Sequence, residues 1–185
     1  MAESKTNQDQ LNHAKDIFIN SIGETMDLYG INRSVGNLYG TMLFEDSMTL
    51  DEMREQLQMS KPSMSAGVKK LQEFEIVKQQ FTRGSRKQHF VAEKDFFNFF
   101  TNFFSQKWER ETKINMMAIE EALGILDDVM SDKNTDDETL KEAKHIYDQL
   151  ESSKDYFNWL GNLSDAIKTG EIFKHYPIPT EHKTK

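Results

Sequence analysis

The sequence predicts a mainly α-helical chain with one small β-hairpin. Three observations carry that expectation. Apolar residues recur at helical spacing over most of the 185 positions. The period changes only once, between Ile76 and Val91. A helical pattern of some 35 residues, from about Lys94 to Met130, exceeds an ordinary globular helix and suggests an element that spans two bodies or two subunits.

The elements follow in order. Residues 1–9 read as a flexible tail. Leu11, Ala14, Phe18, Ile22, Met26 and Tyr29 make an amphipathic helix, and Gly30 stops it as a C′ glycine. Ser34 is the expected N-cap of a second helix to about Phe44, followed by a loop over 45–48. Gly36 and Gly40 suit close helix packing. Thr49-Leu50-Asp51-Glu52 matches a capping box and opens a short helix to about Leu57. Met59 takes a turn. Ser60 caps the next helix, and Pro62 lies in its first turn, where a missing N–H costs little. That helix carries Met64, Val68 and Leu71 inward and a polar, basic face outward. Ile76–Phe81 and Lys87–Val91 read as two strands around Thr82-Arg83-Gly84-Ser85-Arg86, with Gly84 at the tip. After the long helix, 132–136 is a polar loop. Asp137 to Leu160 is a further helix closed by Gly161, and Leu163–Phe173 a last short one before Pro177 and Pro179. Residues 177–185 read as a second flexible tail. The expected division is 10–92 and 93–176.

The order helix, helix, short capped helix, tight turn, basic helix, strand, basic loop, strand is that of a winged helix-turn-helix. It is followed here by a long helical region suited to dimerisation. In such a layout the helix from Ser60 offers its first residues and N–H groups to the major groove and to phosphates. The hairpin sets its cations against the flanking backbone or in a minor groove. The candidate DNA contacts are Ser60, Lys61, Ser63, Ser65, Lys69, Lys70, Arg83, Arg86 and Lys87. Three cations at an exposed tip repel one another and bring no folding benefit, so the hairpin is the strongest single signal. The alternative reading is a winged-helix protein-interaction module with no operator, because a fold does not fix a function.

Charge first argues against nucleic acid. The total is −8 and the pI near 5.2. Its distribution argues the other way. Residues 54–94 hold nine basic and four acidic side chains, or +5, leaving −13 for the rest. The apolar fraction of 37% and thirteen Phe exclude a fully disordered chain. The absence of Cys excludes a disulfide framework, thiolate metal sites and thiol sensing. No run of about 18 apolar residues occurs and the N-terminus lacks a secretory h-region, so a cytoplasmic location is expected. His13, His89, His145, His175 and His182 are scattered, with no triad, HExxH or phosphate loop. His145 and Asp148 share a helix face, but two ligands do not make a metal site. No catalytic residue, cofactor or metal is expected.

Several segments carry a family resemblance. Leu57-Gln58-Met59-Ser60-Lys61-Pro62-Ser63-Met64-Ser65 with Val68-Lys69-Lys70-Leu71 resembles the recognition segment of MarR-type regulators. Glu24–Gly30, Leu38–Met42, Met48–Met53, Gly84–Lys87, Phe103–Trp108 and Thr169–Phe173 resemble the GbsR branch of that superfamily. The likeness runs over roughly residues 15–176. It implies a homodimeric repressor of choline uptake and of choline oxidation to glycine betaine, with choline as inducer and the helical half as dimer interface.

A quaternary ammonium donates no hydrogen bond and is held by aromatic faces, each worth roughly 0.5–2 kcal/mol. Segment 96–108 supplies two aromatic subfaces. Phe96, Phe99, Phe100 and Phe103 look like core or dimer seam. Phe97, Phe104 and Trp108 make the better cage wall, because Trp is the strongest partner for a cation. The resemblance sets the effector pocket beside the DNA-binding lobe, where Tyr39 would close it; Trp159 is a further candidate, with core packing the competing role for each.

Overall fold

Helix α1, Asn7–Leu28, starts earlier than the sequence reading, which left residues up to 9 in a tail. The reason is a capping box: the Thr6 hydroxyl accepts from the Asp9 N–H at 3.2 Å, and the Thr6 N–H donates to the Asp9 carboxylate at 2.9 Å. The computed structural model describes residues 6–81, 83–84 and 86–179; the remaining tail residues, Thr82 and Ser85 lie outside the described residues. Gly30 ends α1 as expected, with φ +80°. Its N–H donates to the Asp27 carbonyl at 2.9 Å, and that of Ile31 to Met26 at 2.9 Å.

Helix α2, Arg33–Met42, is capped two residues earlier than expected. Asn32, not Ser34, is the cap; its Oδ1 accepts from the Ser34 N–H at 2.9 Å and the Ser34 hydroxyl at 2.8 Å. Glycines let α1 and α2 approach closely: a Cβ at Gly36 would stand 2.8 Å from both Gly23 Cα and Met26 Cβ.

Within the segment read as a loop, Met48 starts strand β1, Met48–Thr49. Helix α3 is Leu50–Leu57 and helix α4 Lys61–Glu73. Strands β2, Val77–Gln80, and β3, His89–Ala92, form the expected hairpin. The sheet order is β1-β3-β2, all antiparallel, with Met48 opposite Phe90 and Gln80 opposite His89. Glu75 turns the chain from α4 into β2 at φ +56°, a left-handed position more often filled by glycine.

Helix α5 is Phe96–Ser131, 36 residues, close to its expected span. Helix α6 runs from Asp137 to Lys168, straight through Gly161. The sequence reading ended it there; tertiary packing overrides the weak propensity of one glycine. Leu160, Ser164 and Ile167 are buried around it, and the Ser164 hydroxyl donates to the Ser105 carbonyl of α5 at 2.9 Å. The terminating glycine is instead Gly170, at φ +76°, before the one-turn helix α7, Ile172–His175.

The chain divides into two compact units, Met1–Phe99 and Phe100–Lys185. The first keeps residues 93–99 with the winged helix, because the Tyr39 hydroxyl donates to the Glu93 carbonyl at 2.6 Å and Phe99 stacks on the Tyr39 ring. Its core is rich in methionine: Met26, Met42, Met48, Met53 and Met64 are each no more than 2% exposed. The second unit is the α5–α6 hairpin, with Phe103, Ile119, Leu123, Ala143, Leu160 and Ile167 buried. Along α5, Ile114, Met117 and Ile125 remain exposed.

Candidate nucleic-acid interface and aromatic segment

Local sequence builds the interface. Thr49 caps α3, its N–H and hydroxyl both meeting the Glu52 carboxylate, at 2.7 and 2.8 Å. These bonds, the backbone one first, hold the Glu52 carboxyl below its ordinary pKa. Gln58 then takes a left-handed φ of +52° and turns the chain into α4. Ser60 caps α4, accepting from the Ser63 N–H at 3.3 Å, with the two hydroxyls 2.8 Å apart.

Ser60, Lys61, Ser63 and Lys69 are exposed on one capped helix, while Met64 and Val68 anchor its other face. Ser65 is half-buried. Lys70 is turned aside: its Nζ lies 2.8 Å from the Glu73 carboxylate and 5.1 Å from the Phe74 ring centre. On the hairpin, Arg83 and Arg86 are exposed around Gly84, whose φ is +85°. Lys87 is exposed too, but it is paired with Asp51, Nζ to Oδ2 3.0 Å. The other oxygen of Asp51 is 3.7 Å from Lys61 Nζ. The hydrogen bond from Lys87 and its charge, then the charge of Lys61, lower the Asp51 pKa; the same bond raises that of Lys87.

Asp51 went unnoticed in the sequence because the capping box already explained it. Phe81 went unnoticed as well: read as a strand residue, it follows β2 and is 89% exposed beside the basic hairpin.

The five aromatic candidates fall into separate groups. Tyr39 and Phe97 belong to the first unit. Tyr39 is 1% exposed, stacked on Phe99 at 5.4 Å; burial pushes its phenol pKa up, so its hydroxyl stays a donor to Glu93. Phe97 is half-buried, its N–H capped by Asp95 Oδ1 at 2.7 Å. Phe104, Trp108 and Trp159 belong to the second unit. Phe104 and Trp108 meet one helical turn apart, centroids 5.5 Å and planes 47° apart. Phe104 also touches Phe100 and Phe103, both at 5.3 Å, so it joins the two subfaces that helical periodicity had separated. Trp159 is 57% exposed and stacks on Tyr156.

None of these five residues lines either of the following cavities of the first unit. One, of about 350 Å³, is lined by Asp16 of α1, Asn37 of α2, Phe44 and Glu45 after α2, and Gln56 and Leu57 of α3, among others; Lys15 Nζ sits 5.6 Å from the Phe44 ring centre. The other, of about 470 Å³, follows β2 and β3. Among the described residues no group of three or more acidic or His side chains is placed to hold a metal ion. No described helix is long and apolar enough to cross a membrane.

The capped turn, the basic helix and the hairpin make the first unit a winged helix-turn-helix, the fold of a transcriptional regulator. A solved structure described as a transcriptional regulator shares this fold, with TM-score 0.58 and 17% identity over 86% of this chain and 99% of that one. Residues 96–174 match the C-terminal helical hairpin of GbsR family transcriptional regulators. The HTH-type transcriptional repressor GbsR of Bacillus subtilis (strain 168) is 60% identical over 92% of this chain and 95% of its own length. The repressor OpcR of the same strain is 26% identical over 96% of each. The chain therefore belongs to the GbsR family of transcriptional regulators.

Proposed function

We propose that the chain is a homodimeric DNA-binding repressor of genes for choline uptake and for choline oxidation to glycine betaine. Choline, or a related quaternary amine, modulates its hold on the operator. The observation that carries the DNA reading is the exposed, capped start of α4, where Ser60, Lys61 and Ser63 stand clear of the core, together with exposed Arg83 and Arg86 on the hairpin. These groups offer hydroxyl, N–H and cationic donors to duplex DNA, whose phosphates bind cations through counterion release. The repressor sense of the regulation is supported by the 60% identical relative, which is named as a repressor.

The effector reading rests on the family resemblance and on the Phe104–Trp108 pair, which presents two aromatic faces in one turn of α5. A ligand shifts the dimer only by binding one arrangement of its recognition helices better than the other. Paired recognition helices meet half-sites about 34–36 Å apart. Exposed Ile114, Met117 and Ile125 on α5 supply an apolar seam for the second copy.

The test is a gel shift of the full chain on DNA upstream of its own gene cluster, with and without choline. A specific shift that choline alters is expected. A specific shift indifferent to choline removes the effector, and no specific shift removes the repressor reading.

A further inference from the structure

Asp51 is a carboxylate set among the cations of the candidate DNA surface. It stands in the first turn of α3, yet its two oxygens face Lys61, at the start of α4, and Lys87, at the foot of the hairpin, at 3.7 and 3.0 Å. One acidic group therefore spans three elements. All three side chains are at least one-third exposed, so charge rather than burial draws them together. A DNA phosphate brings the same charge and similar oxygen spacing to the same two ammonium groups.

We infer that Asp51 is a specificity-determining residue: its carboxylate occupies Lys61 and Lys87 as a backbone phosphate would, and so penalises binding to duplexes that offer phosphates alone. The inference rests on the DNA reading above. Non-specific affinity comes almost entirely from cations that neutralise phosphates. Two of those cations are already neutralised in the unbound chain, so a random duplex gains little from them and must displace or sit beside a carboxylate. In the specific complex base contacts fix where α4 and the hairpin sit, so Lys61 and Lys87 can keep Asp51 as their partner, and the carboxylate's penalty falls on duplexes that have only phosphates to offer. The lowered pKa of Asp51 agrees with a group that stays ionised throughout the neutral range.

The experiment titrates the full chain and Asp51→Asn against two duplexes over several salt concentrations. One duplex has random sequence; the other is selected from a randomised pool by the unsubstituted chain. Asp51→Asn should bind the random duplex about two- to tenfold tighter, the range expected for releasing two exposed ion pairs. Its salt slope on that duplex should steepen by about one phosphate contact. Affinity for the selected duplex should change less, so the ratio of the two falls. Asp51→Glu should keep the original ratio. Asp46→Asn removes the same charge beside Lys94, at a 3.7 Å pair outside this cluster, and should leave the ratio unchanged. Circular dichroism melts confirm that each variant is folded, and Asp51→Ser serves if Asp51→Asn is not. Equal changes on both duplexes, or weaker binding to both, would overturn the inference, the latter meaning that Asp51 only positions Lys87. An unsubstituted chain that selects no duplex would overturn the DNA reading itself and this inference with it.

Discussion

Thr49 and Glu52 close the entry to the helix-turn-helix, and their pairing is measurable. Thr49→Ala removes the hydroxyl that donates to the Glu52 carboxylate and accepts from the Glu52 N–H. Thr49→Ala should lower unfolding free energy by about 1 kcal/mol, read from a urea titration. The effect depends on pH with a definite sign. The Glu52 pKa is depressed below its ordinary 4.5 in the folded chain, so its contribution is complete above that value. It is lost as pH falls through the lower folded value. The difference between Thr49→Ala and the parent should therefore shrink below pH 4.5, and an equal difference at pH 7 and pH 3 would remove the carboxylate from the account. Thr49, Ser60 and Gly30 were legible in the sequence because a cap is a bond between residues two to five apart. Asp51 was not, because Lys61 and Lys87 lie ten and thirty-six positions downstream. Ser34 misled because Asn32, two residues earlier, offers the same chemistry with a carbonyl that reaches both Ser34 donors.

At the scale of elements, the crossing of α1 and α2 is set by what is missing from it. The glycines at 23 and 36 face each other, and a methyl group on either meets atoms closer than any relaxed contact. In an isolated helix Gly→Ala is favourable by about 1 kcal/mol. At Gly36 the 2.8 Å clash with Gly23 Cα and Met26 Cβ should reverse that sign. Gly36→Ala is expected to destabilise by about 1–3 kcal/mol and to lower the melting temperature. A stabilised variant would show that the helices part without cost. Long helices were legible because their period extends over many residues, and the hairpin because Gly84 and its polar neighbours separate two short β-prone runs. Strand β1 was not: two residues have no period, and only Phe90 and His89 across the ladder make it a strand. The end of α6 was misplaced for a related reason, since Gly161 is a local signal and the packing of Leu160, Ser164 and Ile167 that overrides it is not. The aromatic run on α5 was visible as composition. Which rings meet was not, because Phe104 reaches both Phe100 and Trp108.

At the scale of the molecule, the net charge of −8 conceals a +5 segment at residues 54–94, and the proposed homodimer would use exposed apolar side chains of α5. Met117 is 60% exposed on α5, between Ile114 and Ile125. Met117→Lys should shift sedimentation from dimer toward monomer and weaken operator binding, because each half-site then loses the help of the other. An unchanged sedimentation profile would move the dimer seam elsewhere.

The methionine-rich core has a chemical consequence as well. A chain without cysteine takes up a mild oxidant first at its thioethers. Met26, Met42, Met48, Met53 and Met64 are sealed at 2% exposure or less, whereas Met117 is open in the single chain. If Met117 lies in the proposed dimer seam, sulfoxide should thus accumulate there at a rate set by how often the second copy departs. At the five core positions it should accumulate only as fast as the winged unit itself opens. One peroxide time course, read by mass spectrometry, would clock both events in the same tube.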